Sequence, residues 1–327
     1  MILRFRSILL LLSAAVSSCQ MQEPGDQSRG KNLAVKKTVL RPSFEQVKGR
    51  SYTEVRRAFN NGLSFHYTGF QLEPEWKLTF TSDSTVKIYS PSKKAYIHYP
   101  MYYSHATVFN FAREWLRIKK LSRDSLVFEL LEVENKVILK KPQQVYMTFY
   151  SDRYIHNVLK TDAATLRKPT RKDSLYIRRR ADRAIADPEQ AFPARQPVRM
   201  QSSSPFLTVK KVHEQEDVLA NIERMDTYML PRYDIRIDRA YRDFGYYFSV
   251  RVDEKGRIEF KRFLQQVQPE FLEARTRVVR GIIDVYLKNL VKVTPGTTLG
   301  YRHPSVVSLY VSGKKGKSAG AGTFSGN

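Results

Sequence analysis

Between Leu63 and about Ile155 the chain alternates short runs of apolar and β-branched residues with turn-forming polar pieces. Trp76-Lys77-Leu78-Thr79-Phe80 puts every second side chain on one face, the period of a half-buried strand. The pattern predicts strands over Leu63–Phe70, Trp76–Thr81, Thr85–Tyr89, Ala95–Tyr99, Glu114–Lys119, Ser125–Leu131, Lys136–Leu139 and Val145–Tyr150. Turns are expected at Ser82-Asp83-Ser84, Ser90-Pro91-Ser92 and Ser122-Arg123-Asp124. Strands of this length and spacing predict an antiparallel meander that closes into a barrel or stacks as a sandwich. Ahead of them, Ser51 as a cap, Glu54 three residues on and Gly62 as a stop predict a short helix near Tyr52–Asn61.

A second core pattern runs over Phe206–Ser312. Phe248, Val250 and Val252 share one face of a strand, Asp253-Glu254-Lys255-Gly256 turns, and Arg257–Phe263 returns as a hairpin. A helix opens at Gln268-Pro269-Glu270, because Pro suits the first helical position and an acid suits the positive end of the dipole. Phe271, Ala274, Val278, Ile282, Val285, Tyr286 and Leu290 recur at three and four residues, an amphipathic stripe. A Pro295-Gly296 turn and a loop at Gly300 precede a last apolar strand, Ser305–Val311. The fold class expected is α+β. A β-rich domain over 43–156 and a small α/β domain over 206–312 are separated by a basic and proline-rich linker over 157–205.

The flanks carry other signals. Residues 1–18 have Arg4 and Arg6, then an apolar stretch Ile8–Val16 broken only by Ser13, which is too short to span about 30 Å of hydrocarbon and reads as a secretory signal. Val16-Ser17-Ser18-Cys19 resembles a bacterial lipobox. The resemblance implies cleavage before Cys19, diacylation of its thiol and acylation of its amine by chains such as palmitate. Gln20 to about Pro42 reads as a flexible tether, and the Gly/Ser/Lys-rich tail Gly313–Asn327 as disordered.

Composition changes the picture mainly through charge. Lys and Arg number 56 against 32 Asp and Glu, a net charge of +24, and removing residues 1–18 lowers it only to +22. Such a chain is drawn to polyanions, and export makes an envelope surface a better partner than nucleic acid, which is not expected. The densest run is Arg167, Lys168, Arg171, Lys172, Arg178, Arg179, Arg180 and Arg183, opposed only by Asp173 and Asp182. It reads either as a solvated linker or as a contact for anionic lipid head groups or an acidic polymer. Mutual repulsion is expected to keep it loose until an anion neutralises it.

Two further resemblances concern the domains. The strand-rich segment, through Trp76, Trp115 and the hairpin Leu121–Leu126, weakly resembles small lipocalin-like β-domains of envelope lipoproteins. The resemblance implies a carrier of a hydrophobic ligand, which a deep apolar pocket at either tryptophan favours and a side-chain-filled interior removes. YYFSVRVDEKGRIEF, the helix and VTPGTTLGYRHPSVVSLYV resemble the C-terminal domain of TonB-type proteins, with Gly256, Pro295 and Gly300 in matching places. That family module is a binding domain, and it transfers no catalytic residue.

Candidate chemistry is sparse. His66, His98, His105, His156, His213 and His303 form no HxxxH or HExxH pair, and the lone Cys19 excludes a disulfide framework. No nucleophile elbow, phosphate loop or dinucleotide fingerprint is present. No catalytic residue, metal or cofactor is therefore expected. The sequence predicts a lipid-anchored envelope protein, placed at the outer membrane facing the periplasm. It would act by binding a protein partner or an anionic polymer, with a homodimer as one further state. The alternatives are the lipocalin-like carrier and an unrecognised hydrolase.

Overall fold

The computed structural model describes residues 41–212 and 228–316. Cys19, the signal and the tether to Leu40 lie outside the described residues, as do His213 and the tail from 317.

The first sheet is built from β1 (Ser51–Phe59), β2 (Lys77–Ser82), β3 (Thr85–Ser90), β4 (Ala95–Pro100), β5 (Tyr102–His105), β6 (Val108–Phe111), β7 (Glu114–Leu121) and β8 (Ser125–Leu131), of which β1, β5 and β6 lie outside the segments expected as strands. A small hairpin of β9 (Val133–Glu134) and β10 (Val137–Ile138) follows, then β11 (Val145–Ser151). Nine of these strands make one antiparallel sheet in the order β4-β3-β2-β1-β11-β8-β7-β6-β5, a nearly closed barrel with β4 and β5 at its two edges. One end is plugged. Phe44 stacks on Phe80 with ring centroids 4.4 Å apart and meets Phe109 edge-on at 5.2 Å. Asp83, in the turn after β2, holds that plug by accepting the backbone N–H of Phe44 at 2.6 Å. Tyr52, Leu78, Phe80, Phe111, Leu116, Leu126, Phe128 and Phe149 fill the interior behind it.

Two expectations change here. Tyr52–Asn61 is not a helix, because Ser51–Phe59 is β1, paired with β2 on one side and β11 on the other. Tyr52, Thr53, Val55 and Phe59 favour the pleated surface, and the tertiary pairing overrides the cap-like spacing of Ser51 and Glu54. Leu63–Phe70 is not a strand. It is a turn closed by a single bridge between Phe65 and Gln71, with Gly62 and Gly69 at positive φ.

The next segment, expected as loose linker, is ordered helix. After α1 (Ala163–Leu166) comes α2 (Arg171–Ala186), opened by a reciprocal capping box between Thr170 and Asp173. Burial of Ile177, Ala181 and Ala184 along one side holds it against the rest of the molecule, which offsets the repulsion among its cations. The stretch that follows is also built in. Val198 and Met200 belong to the second core, and β12 (Arg199–Ser202) forms a two-stranded ribbon with a strand near the C-terminus.

That core lies under a five-stranded sheet. It consists of β13 (Leu207–Val212), β14 (Arg232–Ala240), β15 (Phe244–Val252), β16 (Ile258–Phe263) and, at the end of the chain, β20 (Ser305–Lys315). Between β16 and β20 run α3 (Pro269–Ile282), β17 (Val291–Thr294), which is the partner of β12, and the small pair β18 (Thr297–Thr298) and β19 (Tyr301–Arg302). The sheet order is β13-β14-β20-β15-β16, with β14 and β20 parallel and the other pairs antiparallel. The hairpin β15–β16 turns at Gly256, whose φ of 85° suits glycine. The last strand runs on to Lys315, so Gly313–Lys315 belong to the sheet and not to the tail.

The helix is present where expected, but its buried face differs. A π-turn, Ile283–Leu287, follows α3 and adds residues to the winding. Burial therefore falls on Val279, Ile282, Ile283 and Leu287, while Val285 is 60% and Phe271 48% exposed.

Candidate functional site

Two places gather chemistry: the outer face of α2 and the open end of the barrel. On α2 the 100° step per residue separates the charges into two sets. Asp173, Ile177, Arg180, Ala181 and Ala184 lie on the inner side. Arg171, Lys172, Arg178, Arg179 and Arg183 lie on the outer side, around a Leu175 that is 43% exposed.

The eight candidate cations do not act alike. Arg167 turns inward and donates through Nε to the Glu54 carbonyl at 2.8 Å. Arg180 is a second inward staple. Its guanidinium lies 4.0 Å above the Phe192 ring and donates to the His66 carbonyl at 3.3 Å. Lys172 reaches the Asn61 carbonyl at 2.7 Å. Lys168, Arg171, Arg178, Arg179 and Arg183 are exposed, and among the described residues none of them makes a salt bridge. Five of the eight therefore remain free to meet an anion.

Phe192 carries Arg180 on one face and His303 on the other, with the Phe192 and His303 rings parallel and 3.7 Å apart. This stack ties α2 to the loop at β18–β19. Burial pushes the His303 pKa down to about 4, and Arg180 adds to the effect. The imidazole is therefore neutral at pH 7, sharing a hydrogen bond with the Thr298 hydroxyl at 3.0 Å. Nearby, Arg195 pairs with Glu73 and lies 4.6 Å over the Tyr228 ring. The segment between the two sheets is thus fastened to both.

At the barrel's open end the inner face changes from rings to charges. Cross-strand partners share a face, so Glu54 opposite Phe149 and Arg57 opposite Met147 both belong to the interior. Glu54 is fully buried and binds the Arg57 guanidinium through both oxygens at 2.7 Å. Its second oxygen also accepts the backbone N–H groups of Glu75 and Trp76, at 2.8 and 3.0 Å. Glu114 stands on the Leu116 face of β7. Burial raises its pKa, and the Arg57 charge opposes that rise. A cleft of about 990 Å³ opens here, with Phe59, Leu130, Leu131, Ile138, Leu139 and Val145 as its apolar wall and Glu114 beside them. On its outer side Arg117 pairs with Glu129 at 3.0 Å, and at the rim Lys141 pairs with Glu132.

Neither Trp76 nor Trp115 lines this cleft, and the barrel behind the Glu54–Arg57 pair is filled with side chains. The pair is not visible in the sequence while Tyr52–Asn61 reads as a helix. Read as a strand with an irregular register between Glu54 and Arg56, the same residues put both charges inside. Among the described residues no three His, Cys, Asp or Glu side chains converge as metal ligands would. No helix among them is long and apolar enough to cross a membrane.

No family model matches the sequence, and no curated protein matches it. Among solved structures the chain is similar to the bovine lipocalin allergen Bos d 2, at 10% identity and a TM-score of 0.22, over 42% of this chain and 86% of that one. The near-closed barrel rests on the strand register itself.

Proposed function

We propose that the chain is a binding and scaffolding protein of the bacterial cell envelope, held on a bilayer by acyl chains on Cys19, with no catalytic role. Its folded unit meets a protein partner or an anionic envelope polymer. The observation that carries this reading is the outer face of α2, a helix whose outer arginines make no salt bridge among the described residues while its inner side is packed. A random solvated run does not need a capping box and a buried side. The hairpin, helix and final strand, with Gly256 in the turn, support a TonB-like binding module at the C-terminal end. The lipobox-like Val16-Ser17-Ser18-Cys19 supports the anchor and with it a place in the envelope.

One observation favours a second reading, a carrier. The cleft at the barrel mouth has an apolar wall and half-buried charges, so it suits a small amphiphile rather than a deep apolar ligand.

Membrane fractionation tests the anchor. After a high-salt wash, which strips screened electrostatic contacts, the parent protein stays with the membrane and Cys19→Ala moves to the soluble fraction. Equal retention of the two forms would overturn the anchor.

A further inference from the structure

We propose that the outer face of α2 docks on a bilayer surface rich in anionic phospholipid head groups. The inference deepens the reading of that face as an anion contact and is independent of Cys19. Seen down the helix axis, Leu175 lies at the centre of the exposed face. Arg171 and Arg179 flank it one turn away, Arg178 and Arg183 lie further out, and Asp182 is the one acid among them.

Charge complementarity alone would suit any polyanion. The apolar residues decide the class. Leu175 and Ile185 are each 43% exposed on this face, and a hydrated polysaccharide or nucleic acid backbone leaves such side chains in water. A bilayer interface accepts both groups at once, with guanidinium on phosphate and leucine at the head-group and acyl boundary. The packed side of the helix fixes this arrangement before contact, so little ordering is needed on binding. Arg167 and Arg180 are excluded from the surface by their inward bonds.

The probe is the chain from residue 19 onward carrying Cys19→Ala, so that no acyl chain contributes. It is co-sedimented with vesicles of phosphatidylglycerol and phosphatidylethanolamine, with pure phosphatidylcholine vesicles, and with a soluble polyanion such as heparin. Binding to the anionic vesicles is expected, weakening as salt rises, with little binding to phosphatidylcholine. At roughly fivefold per cation, the conversion of about 1 kcal/mol each, Arg171→Gln/Arg178→Gln/Arg179→Gln weakens vesicle binding about a hundredfold. Leu175→Gln weakens vesicle binding and leaves heparin binding unchanged. These positions are exposed, and circular dichroism confirms that the variants remain folded.

Loss of heparin binding in the triple variant with vesicle binding unaffected by Leu175→Gln would overturn the lipid assignment and point to a polymer. Failure to bind any of the anionic probes would overturn the anion-contact reading itself. Neither outcome bears on Cys19.

Discussion

Inside the barrel Glu54 is fully buried, and its stability rests on four donors: two from Arg57 and the backbone N–H groups of Glu75 and Trp76. Removing one member of such a pair strands the other in a poorly solvated site. Glu54→Ala is therefore expected to lower unfolding stability by about 3–5 kcal/mol, measured by urea titration; a loss below about 1 kcal/mol would contradict the burial. His303 gives a pH dependence with a definite sign. Its folded pKa is about 4, below the free imidazole value of 6.5, so the unfolded chain takes up a proton first as pH falls. The stability that the neutral ring contributes is full above pH 6.5, drains away between 6.5 and about 4, and is then exhausted. The full drop is about 3 kcal/mol. Thermal unfolding of the parent should show this slope, and His303→Gln should flatten it.

At the scale of elements, α2 is the joint on which the molecule depends. Asp173 at its third position is fully buried. It accepts the Ser64 backbone N–H at 2.7 Å and the Thr170 backbone N–H at 2.9 Å, and it lies 3.5 Å from Arg56 of β1. One carboxylate therefore caps the helix and pins it to the barrel. Asp173→Ala should destabilise by about 2–4 kcal/mol, the cap and an orphaned buried N–H together. Thr170→Ala should cost only about 1 kcal/mol. Equal effects from the two variants would mean that the helix is not fastened through Asp173.

The same scale shows what the chain made legible. Period-two alternation is enough for β2, β3 and β11, whose burial alternates along the strand, while β4, β7 and β8 are marked by their β-branched, aromatic and apolar content. It failed at β1, whose Ser51 and Glu54 mimic a helix start and whose register irregularity breaks the alternation. The basic run was visible as charge, but its order depends on Ile177, Ala181 and Ala184 meeting surfaces distant in sequence. The stripe on α3 was displaced by a π-turn that no periodicity announces. The cleft was invisible for a related reason. Phe59, Glu114, Leu130 and Val145 are far apart in the chain and come together only when β1, β11, β8 and β7 pair side by side.

The whole molecule joins three features of different origin: a lipobox-like N-terminus, a folded unit with two cores, and a large positive charge. Acylation at Cys19 would keep the folded unit near head groups, and the free cations of α2 would then orient it there. The acylated Cys19 is the feature on which the membrane placement of the chain depends. The intact mass of the protein extracted from membranes with detergent decides whether Cys19 is acylated. The expected mass is that of a chain beginning at Cys19 that carries a diacylglyceryl group and an additional acyl chain. A chain that retains residues 1–18, or one that begins elsewhere with an unmodified thiol at Cys19, would contradict it.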